Sequence, residues 1–355
     1  MNFFRIDRLI NQSIKAFQLD LTGLRVLTEA ASGFFALTPI IAAVAGADFV
    51  YTITKNSRYG RASDILKNLN DLAVIWEVHD KIFNLPSKNH NYISKADIIT
   101  NLGHVRPLTK SFLERLKPTA VIPLMWETWE YRPADLDLRE CNRLGIPVLG
   151  TNENHPNLKT FDYVGILALK ILLDLELEIC NSYILLIGNS LFANIINKYL
   201  IMNGSNCIFF PDINQFNNHQ LKSNLINIDA IIVADQSNEE IIGYKSLLLP
   251  ETINQLNPGI AVVHICGNID SDAIINSKIS LYPKFIAPTG YMSLSTEYLG
   301  PKPLIDLHTA GLKVGEVLAK ARLRGLCKNE AIKLALEKSP AMDFSISQKV
   351  LYDFF

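Results

Sequence analysis

The segment from residue 182 to residue 212 constrains what this chain can fold into more than any other. Ser182-Tyr-Ile-Leu-Leu-Ile-Gly188 reads as a buried strand, Gly188-Asn-Ser-Leu-Phe-Ala193 opens a helix, and Cys207-Ile-Phe-Phe210 leads a second strand to Asp212. Strand, tight turn, helix, strand and then an acid about 20 residues past the turn is the layout of a dinucleotide-binding βαβ unit. A turn that opens a helix offers backbone N–H groups and the positive end of the helix dipole to a diphosphate, and the acid accepts hydrogen bonds from a ribose diol. The residues expected to hold the cofactor are therefore Gly188, Asn189, Ser190, Leu191, Phe192 and Asp212, whose charge favours NAD over NADP. Ser190 stands where the G-x-G-x-x-G/A pattern wants its second glycine, while Ala193 meets the third position. A Rossmann-like unit that binds no dinucleotide is the competing reading of the motif.

A chain of 355 residues is long for one core and suggests about two domains. With 48% apolar and 19% charged residues and a formal net charge of −1, it has no basic field to hold a polyanion, so nucleic acid is not an expected partner. Met-Asn-Phe-Phe-Arg-Ile-Asp-Arg lacks the apolar core of a signal peptide, and no later run has the length of a membrane span, so the expectation is a soluble, cytoplasmic protein. Cys141, Cys180, Cys207, Cys266 and Cys327 show no C-x-x-C spacing, which argues against a disulfide framework and against a metal site.

An amphipathic helix is expected over residues 1 to about 20. Strands follow at 24–27, 49–53, 74–76, 96–100, 120–124 and 146–149, with helices at 34–45, from about 62, at 109–116 and at 136–144. The polar stretch 152–159 reads as a crossover, and an apolar helix over 161–175 comes after it. A second alternation has strands at 184–187, 208–210, 230–233, 260–263 and 285–287. The chain closes with a helix over 311–325 and a tail, 328–355, that is helical and then irregular. Strands alternating with helices give a parallel sheet covered on both faces.

Several polar groups fall at strand ends, where α/β sheets bind ligands. The loops 27–33 and 55–60 are two such places, and Asn101-Leu-Gly-His104-Val-Arg106 is a third. In Met125-Trp-Glu-Thr-Trp-Glu-Tyr131, Glu127 and Glu130 are either solvated or line a pocket for an amine-bearing substrate, using carboxylate pairing and the ring faces of Trp126 and Trp129. Lys55, Arg58, Arg106 and Lys313 are candidate anion binders, each also explicable as a surface cation. His308 reads on residues alone as a helix N-terminal side chain.

The motifs, taken in order, resemble the D-2-hydroxyacid dehydrogenase family. Those that carry the resemblance are Ala96-Asp-Ile-Ile-Thr, Leu108-Thr, Ala134-Asp-Leu-Asp-Leu, Gly145-Ile-Pro-Val148, the turn at Gly188–Ala193, Val262-Val-His-Ile-Cys-Gly267 and Asp306-Leu-His308-Thr-Ala-Gly311. The resemblance implies an α/β fold of two Rossmann-like domains with an interdomain cleft. It pairs a flavodoxin-like substrate domain, residues 1–155, with a dinucleotide-binding doubly wound parallel sheet, residues 156–306, and has a C-terminal helix, 307–355, returning to the first. It implies that His308 is the proton donor or acceptor, oriented by Glu297 and close to Lys313, that Cys266 and Gly267 line the cofactor, and that the chain is a homodimer. It also exposes a departure: the catalytic arginine should precede Gly267, and Cys266 is there instead.

The reading that follows is an NAD(H)-dependent oxidoreductase transferring hydride to or from a small 2-oxo or 2-hydroxy acid or an amine or imine, with Arg58, Arg106, Glu127 and Glu130 facing the substrate. Two alternatives stand beside it: a catalytically altered binding or regulatory protein of the same fold, and an enzyme that uses tightly held NAD as a transient hydride acceptor.

Overall fold

The structure, a computed structural model, describes residues 2–212 and 223–344. The chain divides into two compact units, one of Met1–Lys159 with Pro301–Phe355 and the other of Thr160–Gly300. The first unit begins with α1 (Phe3–Phe17), β1 (Arg25–Glu29), α2 (Leu37–Val44), β2 (Phe49–Ile53), α3 (Ala62–Ile75) and β3 (Ile82–Asn84). It continues through β4 (Ile98–Ile99), α4 (Lys110–Leu113), β5 (Ile122–Pro123), α5 (Leu138–Arg143) and β6 (Val148–Thr151). The second unit comprises α6 (Thr160–Asp174), β7 (Tyr183–Ile187), α7 (Leu191–Met202), β8 (Asn206–Phe210), β9 (Ala230–Ala234), β10 (Glu240–Ile242), α8 (Pro250–Leu256), β11 (Ala261–Cys266), β12 (Asn268–Ile269), α9 (Ser271–Asn276) and β13 (Ser280–Tyr282). The chain then returns to the first unit with α10 (Pro301–Leu323), α11 (Lys328–Lys338) and β14 (Ala341–Met342).

In the first unit β3, β2, β1 and β4 form one parallel sheet and β14, β6 and β5 another. A parallel bridge between Ile98 and Val121 joins them edge to edge, giving the order 3-2-1-4-5-6 with β14 antiparallel at the rim. The direction of winding reverses between β1 and β4, so a topological switch point lies at the ends of those two strands. In the second unit the order is β13-β11-β9-β7-β8, all parallel, which in that unit's own numbering is the flavodoxin-type 2-1-3-4-5. Its switch point lies between β7 and β9. The sequence reading had expected the flavodoxin-type order in the first unit; both units are doubly wound, and it is the order of the strands that differs.

Both cores are built from strands buried on two faces, as crossover helices require. Leu185, Ile187, Ile231, Val233 and Val262 fill the second unit, while Val26, Val50, Ile98 and Val121 join α2 and α10 in the first. Helix α1 starts on Asn2, whose side chain accepts from the Arg5 amide at 3.0 Å, and it buries Ile6, Leu9, Ile10 and Phe17.

Three expectations need correction. Val74 and Ile75 are not a strand: they form the exposed last turn of α3, because the spacing of Ile65, Leu69, Leu72 and Ala73 carries the helix through a β-branched pair. The third strand is instead Ile82–Asn84. Residues 285–287 form no strand; β13 is Ser280–Tyr282, and the Ala287 amide donates to Ser293 Oγ at 2.9 Å. The last long helix begins at Pro301, ten residues before the expected start, since prolines at its first and third positions cost no intrahelical hydrogen bond. The end of the 328–355 tail lies outside the described residues.

Candidate functional site

The second unit's switch point is closed by backbone. A Cβ on Gly188 would sit 2.1 Å from the Ala234 carbonyl oxygen, and its φ is +150°, so the turn between β7 and α7 can only be made by glycine at this distance from β9. Ser190 caps α7: its Oγ accepts from the Ala193 amide at 3.1 Å and donates to the Ala234 carbonyl at 2.5 Å. The Asn189 amide donates to Asp235 Oδ2 at 3.0 Å, while Asp235 Oδ1 accepts from the Ser237 amide at 2.7 Å. Cys266, the buried last residue of β11, accepts from the Asp235 amide at 3.1 Å through its carbonyl. Gly267 follows with φ +129°, and a Cβ there would be 3.2 Å from Val233 Cγ1. The predicted cofactor residues 188–192 and 266–267 thus meet around Ala234 and Asp235. Asp212 is half-buried two residues past β8, on the neighbouring strand.

A dinucleotide's fit to this turn follows from its amides. Asn189 and Ala193 are engaged, and Leu191 occupies the first helical position, whose N–H group has no acceptor within a helix. While the space beside Gly188 is taken by the Ala234 backbone, the dipole of α7 favours a diphosphate. Asp235 opposes it, since its carboxylate is 4% exposed and rests on the turn itself.

The first unit's switch point is charged. Glu29 ends β1, is buried, and accepts the His104 amide on Oε2 at 2.8 Å. Burial pushes its carboxyl up, and the His104 amide and the Arg106 and Lys55 charges pull it partly back. Arg106 pairs with Asp135 at 2.6 Å and lies 4.9 Å above the Trp126 ring. Lys88 Nζ donates to the Pro107 carbonyl at 3.2 Å, and its ammonium is pushed down to about 8, first by burial and then by Lys55. His104 is 9% exposed, and burial followed by repulsion from Lys55 and Lys88 lowers its imidazole. Around this group the strand ends are tied by Thr100 Oγ1 donating to Thr28 Oγ1 at 3.0 Å and by the Met125 amide donating to Asn101 Oδ1 at 2.9 Å.

Other predicted site residues are placed elsewhere. His308 lies within α10, not at a helix start; it is 4% exposed, its Nδ1 pairs with Thr38 Oγ1 at 2.6 Å and its ring packs on Phe35. Burial pushes it down to about 3, so it is a neutral core histidine at ordinary pH. Glu297 lies in the Thr296–Leu299 turn of the second unit, whereas His308 belongs to the first. Lys313, three turns into α10, donates to the Gln18 carbonyl at 2.8 Å and to Glu316 at 2.9 Å; it fastens the end of α1. Glu127 is buried, accepts from Trp129 Nε1 at 2.7 Å and the Glu153 amide at 2.9 Å, and so closes its own loop. Burial pushes Glu130 up to about 7 against the pull of Arg132. Arg58 is exposed and stacks on Tyr59 at 4.7 Å. His264 is fully buried between Ser293 and the Gly267 carbonyl.

Sequence reasoning missed Asp235, Glu29 and Lys88. Glu29 and Lys88 could have been flagged by position, since each lies at or within a few residues of the C-terminal end of a parallel strand, where ligands bind. A hollow lined by 107–110 and 131–139 adjoins Arg106 and Asp135, and another lies at 226–229 with 257–259. Among the described residues no helix is long and apolar enough to cross a membrane, and no group of three or more His, Cys, Asp or Glu is arranged to hold a metal ion.

The architecture is thus that of a two-unit, doubly wound α/β protein. No family model matches the chain, and no curated protein matches it. Solved structures similar to it include the A chain of dipicolinate synthase from Bacillus subtilis, at 13% identity over 86% of this chain and 98% of that one, with a TM-score of 0.48. The pyruvate reductase of Chlamydomonas reinhardtii is similar at 13% identity over 86% and 98%, also with a TM-score of 0.48. A 2-hydroxyacid dehydrogenase from Ketogulonicigenium vulgare is similar at 13% identity over 86% and 96%, with a TM-score of 0.42.

Proposed function

We propose that the chain is an NAD(H)-dependent oxidoreductase acting on a small polar substrate. The observation that carries this reading is the Gly188 turn: at the switch point of a parallel 2-1-3-4-5 sheet, a glycine without room for a Cβ leads into a twelve-residue helix whose first amides lie at the strand end. Ser190, Leu191 and Phe192 would hold the diphosphate by their backbone, Asp212 would accept from the ribose diol, and Gly267 would let the cofactor pass close to β11. Bound NAD(H) supplies the hydride donor or acceptor. The protein's own part is to position the substrate, for which the first unit's Arg106, fixed by Asp135 and Trp126, is the best-held cation.

The test is titration of the full chain with NADH and with NADPH, followed by nicotinamide fluorescence. NADH should bind saturably and more tightly than NADPH, and Asp212→Ala should weaken it about ten-fold. No saturable NADH binding by the unaltered protein rejects the reading.

Two observations favour a second reading, a binding or regulatory protein without turnover: His308 is shut into the core as a neutral ring, and Cys266 fills the position of the expected arginine. NADH binding with no oxidation in the presence of 2-oxo acids or imines would select it.

A further inference from the structure

We infer that the first unit's switch point is a binding site for a small dianion, held by Lys55, Lys88, His104 and Arg106 at the ends of neighbouring parallel strands. Topology brings these residues to one edge. In the order β3-β2-β1-β4, Asn84 is registered with Thr52, Thr52 with Thr28, and Leu27 with Ile99. Lys88, Lys55 and Glu29 therefore stand at or just beyond three adjacent strand ends, with the 101–106 turn beside them.

Side-chain geometry closes the group. A Cβ on Gly103 would lie 3.3 Å from Glu29 Oε2 and 3.9 Å from Arg106 Nη2, so the acid and the guanidinium flank the same residue. Lys88 Nζ reaches the carbonyl of Pro107, next to Arg106.

Three donor-bearing side chains have buried nitrogens without partners here: Nδ1 of His104, Nε of Arg106 and Nε1 of Trp126. An unsatisfied buried polar atom is costly, and such atoms gathered at a ligand-binding edge point to a ligand that satisfies them. The charges give its class. Lys55, Lys88 and Arg106 carry three positive charges beside the carboxylates of Asp135 and Glu29. Two ammonium groups together with the unpartnered Nδ1, Nε and Nε1 are more donors than one carboxylate can accept from, which matches a dicarboxylate or a phosphate-bearing molecule better than a monoanion.

This inference adds the charge of the substrate to the function proposed above, but it stands on the first unit alone. Calorimetric titration of the full chain with malonate, inorganic phosphate and acetate at constant ionic strength tests it. At least one of the two dianions should bind about ten-fold more tightly than acetate, malonate leading if the ligand is a dicarboxylate and phosphate if it is phosphorylated. Lys55→Gln, at an exposed position that leaves the fold intact, and Lys88→Gln should each weaken the preferred dianion about ten-fold, and Lys67→Gln on the outer face of α3 should not. Equal binding of acetate and both dianions, or unchanged binding in Lys55→Gln and Lys88→Gln, overturns the inference. NADH titration of the unaltered protein separates the two ideas: saturable NADH binding without preference for a dianion removes this site and leaves the cofactor reading, and dianion preference without NADH binding removes the cofactor reading alone.

Discussion

The two switch points occupy the same position in two doubly wound sheets, yet they hold charge in opposite ways. In the second unit the approach of β7 to β9 is so close that glycine is required at 188, and the local acid, Asp235, is satisfied by backbone and serine donors. In the first unit the strand ends carry long charged side chains, with a buried carboxyl at Glu29 and cations at Lys55, Lys88 and Arg106. A site made of main chain recognises shape and phosphate. One made of long charged side chains recognises the charge of a small molecule. On the readings proposed above, the main-chain site would take a diphosphate and the side-chain site a small anion.

The largest expected effect comes from pitting glycine against glycine. Gly188→Val should destabilise the second unit by about 3 kcal/mol or more, because both the Cβ clash and the positive φ must be relieved at once. Gly103→Ala, whose Cβ would lie 3.3 Å from a side-chain oxygen, should cost less than about 1 kcal/mol. Urea unfolding of the two variants checks this, and equal losses would erase the distinction between a main-chain site and a side-chain site.

The next effect concerns His308, packed in the first unit's core. Its imidazole is neutral in the folded protein down to about pH 3, whereas the unfolded chain takes up a proton near pH 6.5. The unfolded state therefore binds more protons in between, so this contribution to stability is whole above that range and is lost as pH falls through it. Between pH 7 and pH 4 the unaltered protein should lose roughly 3 kcal/mol more than His308→Gln. Parallel slopes in denaturation curves would contradict the placement of the ring.

Glu29 has the opposite sign. Its folded carboxyl is raised, so it favours folding below the unfolded carboxylate range and loses that advantage as pH rises. Glu29→Gln keeps an acceptor for the His104 amide and should gain about 1 kcal/mol on the unaltered protein at pH 8, but not at pH 4. The smallest effect is expected at Asp235→Asn, which preserves an acceptor for the Asn189 amide while removing a negative charge beside the turn. NADH should bind a few-fold more tightly.

Much of the fold was legible because burial on both faces writes strands as apolar runs: 184–187, 230–233 and 260–263 all lie within a residue or a few of the observed strands. The Val74-Ile75 misreading has a physical cause, since β-branched residues at a helix end resemble a strand unless the preceding 3.6-residue period is followed through. The cofactor turn was visible in the Gly188 motif, but Asp235 was not, because its role depends on a register between β7 and β9 that no local pattern encodes. For the first unit, the 27–33 and 101–106 loops were singled out correctly as strand ends, while the pairing of Glu29 with His104 required the β1 to β4 adjacency. His308 failed for the converse reason. A motif placed it at a helix start, whereas the helix runs two full turns further back and carries the ring into the core.

The central claim is that main-chain amides at the start of α7 receive a diphosphate, and amide hydrogen exchange reads it directly. With saturating NADH, exchange in a peptide covering β7 and the first turn of α7 should slow at residues 190–192, while the 101–106 turn of the first unit, treated alike, is unaffected. Unchanged exchange at 190–192 in the presence of bound NADH would contradict the account.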